Sequence, residues 1–125
     1  TARDLAGFAV VAVGGAFGAA LRHGANMLLA SGSWPRSTFA VNVAGCFAFG
    51  LIAGLSLGRL PESARLLVIT GVLGGFTTFS AFANETVVVW RSGASAMALA
   101  NVVLSVVSCV AAAVVGRGLM AVILK

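Results

Sequence analysis

The stretch GGFTTFSAF, residues 74–82, sets Gly74, Gly75, Thr77, Thr78 and Ser80 among three phenylalanines, in the middle of a long apolar run. That run, from about Ala64 to Trp90, would be roughly 40 Å long as one continuous helix at 1.5 Å per residue. A bilayer core is about 30 Å thick, so the run can accommodate a few non-helical residues. In lipid, a broken helix survives only where its freed backbone groups face protein, water or an ion. Gly74 and Gly75 supply a permissive backbone for such a break. Carbonyls freed between Gly74 and Thr77 are suited to a cation, while freed amides and the hydroxyls of Thr77, Thr78 and Ser80 are suited to an anion. The other reading is a kink whose hydroxyls bond back to their own helix, as is common in membrane helices.

Composition decides that the run lies in lipid. The chain has 125 residues, 60% of them hydrophobic and 9% charged, with a mean hydropathy of +1.09. Soluble domains are about 45–50% apolar and about 25% charged, and a soluble chain of this size could not bury so much apolar surface in one core. The first apolar run has no small-residue site closing a short hydrophobic region, which argues against a cleaved signal. A net charge of +5 would suggest nucleic acid in a soluble protein. Here the basic residues stand singly in loops and at helix ends, the ordinary membrane pattern, and no nucleic acid is expected.

Four apolar segments follow from the polar punctuation: about Leu5–Ala30, Ser37–Leu57, Ala64–Trp90 and Ser95–Leu124. Each exceeds the ~20 residues that cross a hydrocarbon core. The breaks SGSWPRS (31–37), GRLPES (58–63) and RSGAS (91–95) hold both prolines, Pro35 and Pro61. The expected fold is all-α, one transmembrane domain over residues 1–125 with four helices, the third broken at its middle. Gly14, Gly15 and Gly18, and the Gly50/Gly54 GxxxG pair, are spaced for close helix packing. Four helices enclose little interior, so a polar path calls for a second copy of the chain. With both termini on one side, that side carries Arg3, Arg59, Arg65, Arg117 and Lys125 against Arg22, Arg36 and Arg91. So weak a bias permits insertion in either orientation, and hence an antiparallel dimer.

Polar residues inside the spans mark a track. Asn42 lies in the second segment with Thr38 one turn earlier, and Asn101, Ser105 and either Ser108 or Cys109 form a stripe on the fourth. Arg22 and Asn26 share a face of the first, and Glu85 lies beyond the break in the third. Each has a structural alternative: Asn42 as interhelical glue, Arg22 snorkelling to headgroups, Glu85 paired with an arginine. Together they suggest a path, and an intramembrane ionisable residue is a functional or pairing candidate in its own right. The donors are hydroxyls and amides and the fixed charges are arginines, which favours a small anion. Phe79 and Phe82 stand one turn apart beside the break, where phenyl edges can meet an anion or simply pack against neighbouring helices. Cys46 and Cys109 lack metal-site spacing and are read as packing residues. His23 is the only histidine, and no nucleophile–base pair is recognisable, so an enzyme is not expected.

At these residues the sequence resembles the Fluc family of fluoride channels. The resemblance covers essentially the whole chain through GGAFGAALR at 14–22, Val41-Asn42 followed by Gly45, and GGFTTFSAF followed by Glu85. It implies a multi-pass protein of the bacterial inner membrane, a dual-topology antiparallel homodimer with two passive fluoride pores and a structural sodium ion at its centre. The implied sodium ligands are the backbone carbonyls of Gly74 and Thr77. The implied pore residues are Phe79, Phe82 and Asn42, with Thr38, Thr78 and Ser80 along the track, Arg22 in the vestibule, and Glu85 as the acidic residue after the motif. The chain lacks the tyrosine that family members often carry on the fourth helix; Asn101, Ser105 and Ser108 are carried over there, with Cys109 the alternative to Ser108.

Two other classes compete. A small proton-coupled drug exporter of four-helix, dual-topology type relies on a membrane-embedded carboxylate in its first helix, where this chain has only Asp4 at the extreme end. A non-transporting assembly subunit explains the small residues but not the TTFS break, Asn42 or the phenylalanine pair.

Overall fold

Backbone contact between glycines organises the chain. The computed structural model describes residues 1–30, 32, 34–55 and 59–125. Ser31, Ser33 and Gly58 of the expected turns, and Leu57 at the expected end of the second segment, lie outside the described residues. Among the described residues, four spans are long and apolar enough to cross a membrane: Ala2–Leu29, Arg36–Gly54, Glu62–Arg91 and Ser95–Ile123. The first is helix α1 (Ala2–Leu29) and the second α2 (Arg36–Gly54). The third comprises α3 (Glu62–Arg65), a π-helical stretch (Leu66–Leu73), α4 (Gly74–Phe76) and α5 (Phe79–Arg91). The fourth is α6 (Ser95–Ile123).

In lipid, helices gain little from burying apolar side chains against one another, so small residues that let backbones touch decide the pairing. A Cβ on Gly14 would lie 3.0 Å from the Gly71 Cα, and one on Gly18 would lie 2.9 Å from the Phe76 amide nitrogen. A Cβ on Gly75 would run into the Gly15 carbonyl. Together these contacts seat α1 against the third span from Leu67 to Phe76. The π-helical winding, wider than an α-helix and often found at functional sites, coincides with the Gly14–Gly71 contact.

The second pair is α2 with α6. A Cβ on Gly50 would collide with the Ala113 carbonyl, and one on Gly54 would lie 2.8 Å from the Arg117 carbonyl. Both positions rise together along the chain, so α2 and α6 run parallel, each α6 residue numbered 63 above its α2 neighbour. Continued back a turn at a time, that register sets Cys46 beside Cys109, Asn42 beside Ser105 and Thr38 beside Asn101.

The interior is unusually polar. Leaving glycine aside, the described residues that are buried are Val41, Phe82, Val89 and Ala98 on the apolar side, and Thr38, Thr78, Asn101 and Ser105 on the polar side. Half of this core is polar, although most large apolar side chains of α1 and α6 point outward. That is the inverse of a soluble bundle and what a lipid solvent asks for, since polar groups there need protein partners.

The third span is interrupted, but not where its glycines sit. Gly74 has helical dihedrals (φ −63°, ψ −38°), and Gly75 is needed for the approach of α1. The backbone leaves the helix two residues after Gly75, at Thr77 (φ −79°, ψ 154°) and Thr78 (φ −151°, ψ 115°). Both conformations are extended and are open to any residue; β-branched threonine favours them. The break, expected over Gly74 to Thr77 with the glycines supplying its backbone freedom, therefore falls at Thr77 and Thr78, with Gly74 and Gly75 helical.

Candidate functional site

An interruption leaves backbone groups without helical partners: carbonyls at the end of α4 and amides at the start of α5. Side chains from three elements answer them. The Asn42 Nδ2 donates to the Thr78 carbonyl at 2.9 Å, and the Thr78 N–H donates to Asn42 Oδ1 at 2.7 Å. Because the backbone N–H can only donate, this pairing also fixes which amide atom of Asn42 is the oxygen. The Thr77 hydroxyl donates to the Leu73 carbonyl at 2.9 Å, closing the end of α4. The Thr78 hydroxyl accepts from the Ala81 N–H at 3.2 Å and so caps α5. From α1, Arg22 Nη1 donates to the Thr77 carbonyl at 3.4 Å. Arg22 therefore touches the break itself, and Asn26, its companion on α1, keeps a buried Oδ1 with no hydrogen-bond partner among the described residues.

A groove of about 440 Å³ opens beside the break. Of the residues read from the sequence, it brings together Asn42, Thr77, Thr78, Phe79, Phe82, Ser105 and Gly74. The Phe79 and Phe82 rings lie 5.3 Å apart at 55° to each other. Phe79 is 77% exposed and Phe82 only 8%, so one ring stands free at the groove edge while the other forms its wall. On α6, Cys109 lines the groove, and Ser108 is not among the described residues that line it. Ser80 is exposed at the first turn of α5, its hydroxyl 3.3 Å from that of Thr78.

Beyond the lining, further polar residues are engaged with one another and with Ser105. Ser105 Oγ donates to Asn101 Oδ1 at 3.4 Å, Asn101 Nδ2 donates to Thr86 Oγ1 at 2.9 Å, and Thr86 donates to the Phe82 carbonyl at 2.7 Å. Thr86 escaped the sequence reading. Its signal was its place four residues after Phe82, on the face of α5 that α6 meets. Thr38 donates to Glu85 Oε1 at 2.7 Å, while Glu85 Oε2 is buried without a hydrogen-bond partner among the described residues. Glu85 also lines a second cavity of about 480 Å³ with Arg36 and Ser37. Thr38 and Asn101, expected on the ion track, thus lie outside the groove lining, their polar groups given to Glu85 and Thr86.

The arrangement offers hydroxyl and amide donors, phenyl rings and helix-end carbonyls around one groove at the middle of the third span, with no carboxylate among the described residues that line it. Comparison with known proteins then gives a family. The model for the CrcB-like protein family, Camphor Resistance (CrcB), matches residues 9–117.

The chain belongs to the CrcB-like family.

Among its CrcB-like relatives, the fluoride-specific ion channel FluC of Paracoccus denitrificans is 46% identical over 120 residues, covering 91% of this chain and 97% of the relative. FluC of Hyphomonas neptunium is 50% identical over 93 residues, covering 70% of this chain and 73% of the relative. FluC of a Methylobacterium species is 45% identical over 111 residues, covering 86% of each. With its four spans, the CrcB-like chain is a multi-pass membrane protein.

Proposed function

We propose that this chain is a fluoride-selective channel that lets fluoride leave the cell down its gradient, with no catalytic step. The observation that carries the reading is the groove at the break, where Asn42, Thr78, Phe79, Phe82 and Ser105 meet with no carboxylate among the described lining residues. Fluoride is small and strongly hydrated, so a dry path has to replace its water with close donors. Asn42 keeps a second amide hydrogen after binding Thr78, the Thr78 hydroxyl can turn its hydrogen toward the groove, and Ser105 can exchange its long bond to Asn101 for one to an ion. The edges of Phe79 and Phe82 carry positive potential and add to these donors. Thr38, Asn101, Thr86 and Glu85 act as the frame that holds the lining in place.

Two copies in opposite orientation complete two such paths. The exposed Phe79 ring at the open side of the groove supports that assembly, as does the near-even split of basic residues. The residues that would hold a structural sodium ion are Gly74 and Thr77, through carbonyl oxygens of the kind hard cations prefer. The end of α4 leaves the Gly74 carbonyl without a helical donor, which fits. The Thr77 carbonyl accepts from Arg22 and has a second lone pair for a cation. A bound sodium ion would supply positive charge at depth, easing the entry of an anion into a low-dielectric interior.

The test is ion efflux from liposomes carrying the purified protein. Fluoride should leave and chloride should stay; liposomes that retain fluoride while holding intact dimers would overturn the reading.

A further inference from the structure

The chain has two cysteines, Cys46 and Cys109. By spacing alone they are unrelated, but the fold pairs them. The backbones of α2 and α6 come together at Gly50 with Ala113 and at Gly54 with Arg117. One turn before the first of these contacts, on the same two faces, stand Cys46 and Cys109. Both thiols are half-buried and reduced, and both line the groove beside the break.

We propose that Cys46 and Cys109 form a two-thiol site for a soft divalent cation that binds two sulfurs in a line, the class represented by mercuric ion. Three features select that class. Thiolate ligands favour soft metals over hard ones. Among the described residues, no group of three or more histidine, cysteine or carboxylate side chains can hold a metal, so the tetrahedral set that zinc requires is missing. Two thiolates also neutralise a divalent ion, and a neutral adduct is the form that a low-dielectric groove tolerates. On binding, each S–H releases its proton to solvent and two metal–sulfur bonds form, with no change of oxidation state. Because the second thiol is already in place, its effective concentration is about millimolar or higher. Chelation therefore outcompetes a dilute monothiol by roughly a hundredfold. The site does not depend on which ion the channel carries.

The experiment is intact-mass measurement of freshly reduced, full-length protein in detergent, given one equivalent of mercuric chloride and two equivalents of 2-mercaptoethanol. The wild-type chain should gain one mercury and lose two hydrogens, with no mercaptoethanol attached. Cys46→Ser and Cys109→Ser should instead carry mercury capped by mercaptoethanol, and the uncapped species should fall at least tenfold. Circular dichroism and elution volume check that the variants are folded. A wild-type chain carrying capped mercury, two mercuries or none would overturn the proposal. So would either single variant holding uncapped mercury as the wild type does.

Discussion

Asn42 holds Thr78 by both of its backbone groups, donating to the carbonyl at 2.9 Å and accepting from the N–H at 2.7 Å. This pair substitutes for the ladder of hydrogen bonds that the third span gives up at its break. It comes from a neighbouring helix, so the irregular backbone is tied to α2.

Asn42→Ala should therefore act on folding as well as on flux. It leaves the N–H and the carbonyl of a buried residue unpaired, at about 1–3 kcal/mol for each group. Asn42→Asp keeps an acceptor for the N–H but turns a second oxygen toward the Thr78 carbonyl. Both should lower the unfolding temperature in detergent and reduce fluoride efflux at least tenfold. Efflux near the wild-type rate in both variants would remove Asn42 from the site.

The two glycines at the start of the motif should respond oppositely to alanine. A Cβ at position 75 meets the Gly15 carbonyl and lies 3.1 Å from the Ala19 amide nitrogen. Gly75→Ala should thus destabilise the protein by about 1–3 kcal/mol, as overpacking does. At position 74 the nearest atom is the Ile69 carbonyl oxygen at 3.7 Å, and the dihedrals are helical. Gly74→Ala should leave thermal stability unchanged or slightly raised, since alanine favours a helix by about 1 kcal/mol. Thermal melts of the two variants side by side check the contrast.

Phe79 and Phe82 should separate flux from folding. Phe82 is 8% exposed, so Phe82→Ala should cost about 3–5 kcal/mol of stability together with flux. Phe79 is 77% exposed, and Phe79→Ile should abolish most fluoride efflux while the melt stays near wild type. Liposome efflux with a parallel melt measures both. A Phe79→Ile protein with normal efflux would show that the free ring takes no part in conduction.

The Thr38–Glu85 hydrogen bond should show up as coupling. Thr38→Val takes the donor from Glu85 Oε1 beside an Oε2 that is already buried and unpaired among the described residues, and a loss of about 1–3 kcal/mol is expected. In the Glu85→Gln background the same change should cost less, because the bond that Thr38 makes to the carboxyl is already altered. A double-mutant cycle read by denaturant or heat should give a coupling energy of about 1 kcal/mol. Strict additivity would mean that the two side chains do not act on each other.

Sodium is checked by removing it. Purified with a large organic cation in place of sodium, the protein should elute increasingly as monomer and lose fluoride efflux, and both should return when sodium is restored. A dimer indifferent to the exchange would exclude Gly74 and Thr77 as sodium ligands.

Much of the fold was legible because lipid imposes simple rules. Apolar runs of sufficient length become spans, and hydroxyls in mid-run mark a break. The residues responsible for the break were harder to read. Glycine serves flexible backbone and close packing equally, and only the position of α1 reveals that Gly75 does the second. Helix register was also out of reach, because the neighbour of Cys46 is set by contacts at Gly50 and Gly54 with a segment some sixty residues away. Thr86 was passed over for a related reason: a threonine beside a glutamate carries no sign of which helix it faces. The groove residues Asn42, Thr78, Phe79, Phe82 and Ser105 were readable because polar or paired aromatic side chains at membrane depth need a local explanation.

The break at Thr77 and Thr78 has one more consequence, and it is electrical. A helix end carries about half an elementary charge, negative where carbonyls are left over and positive where amides are. Interrupting one span therefore creates two opposite poles at mid-depth, the tail of α4 and the head of α5, two extended residues apart. Neither pole needs an ionisable side chain. The field they set up comes from peptide geometry alone, so it does not titrate, and it persists at every pH at which the two helices stay folded.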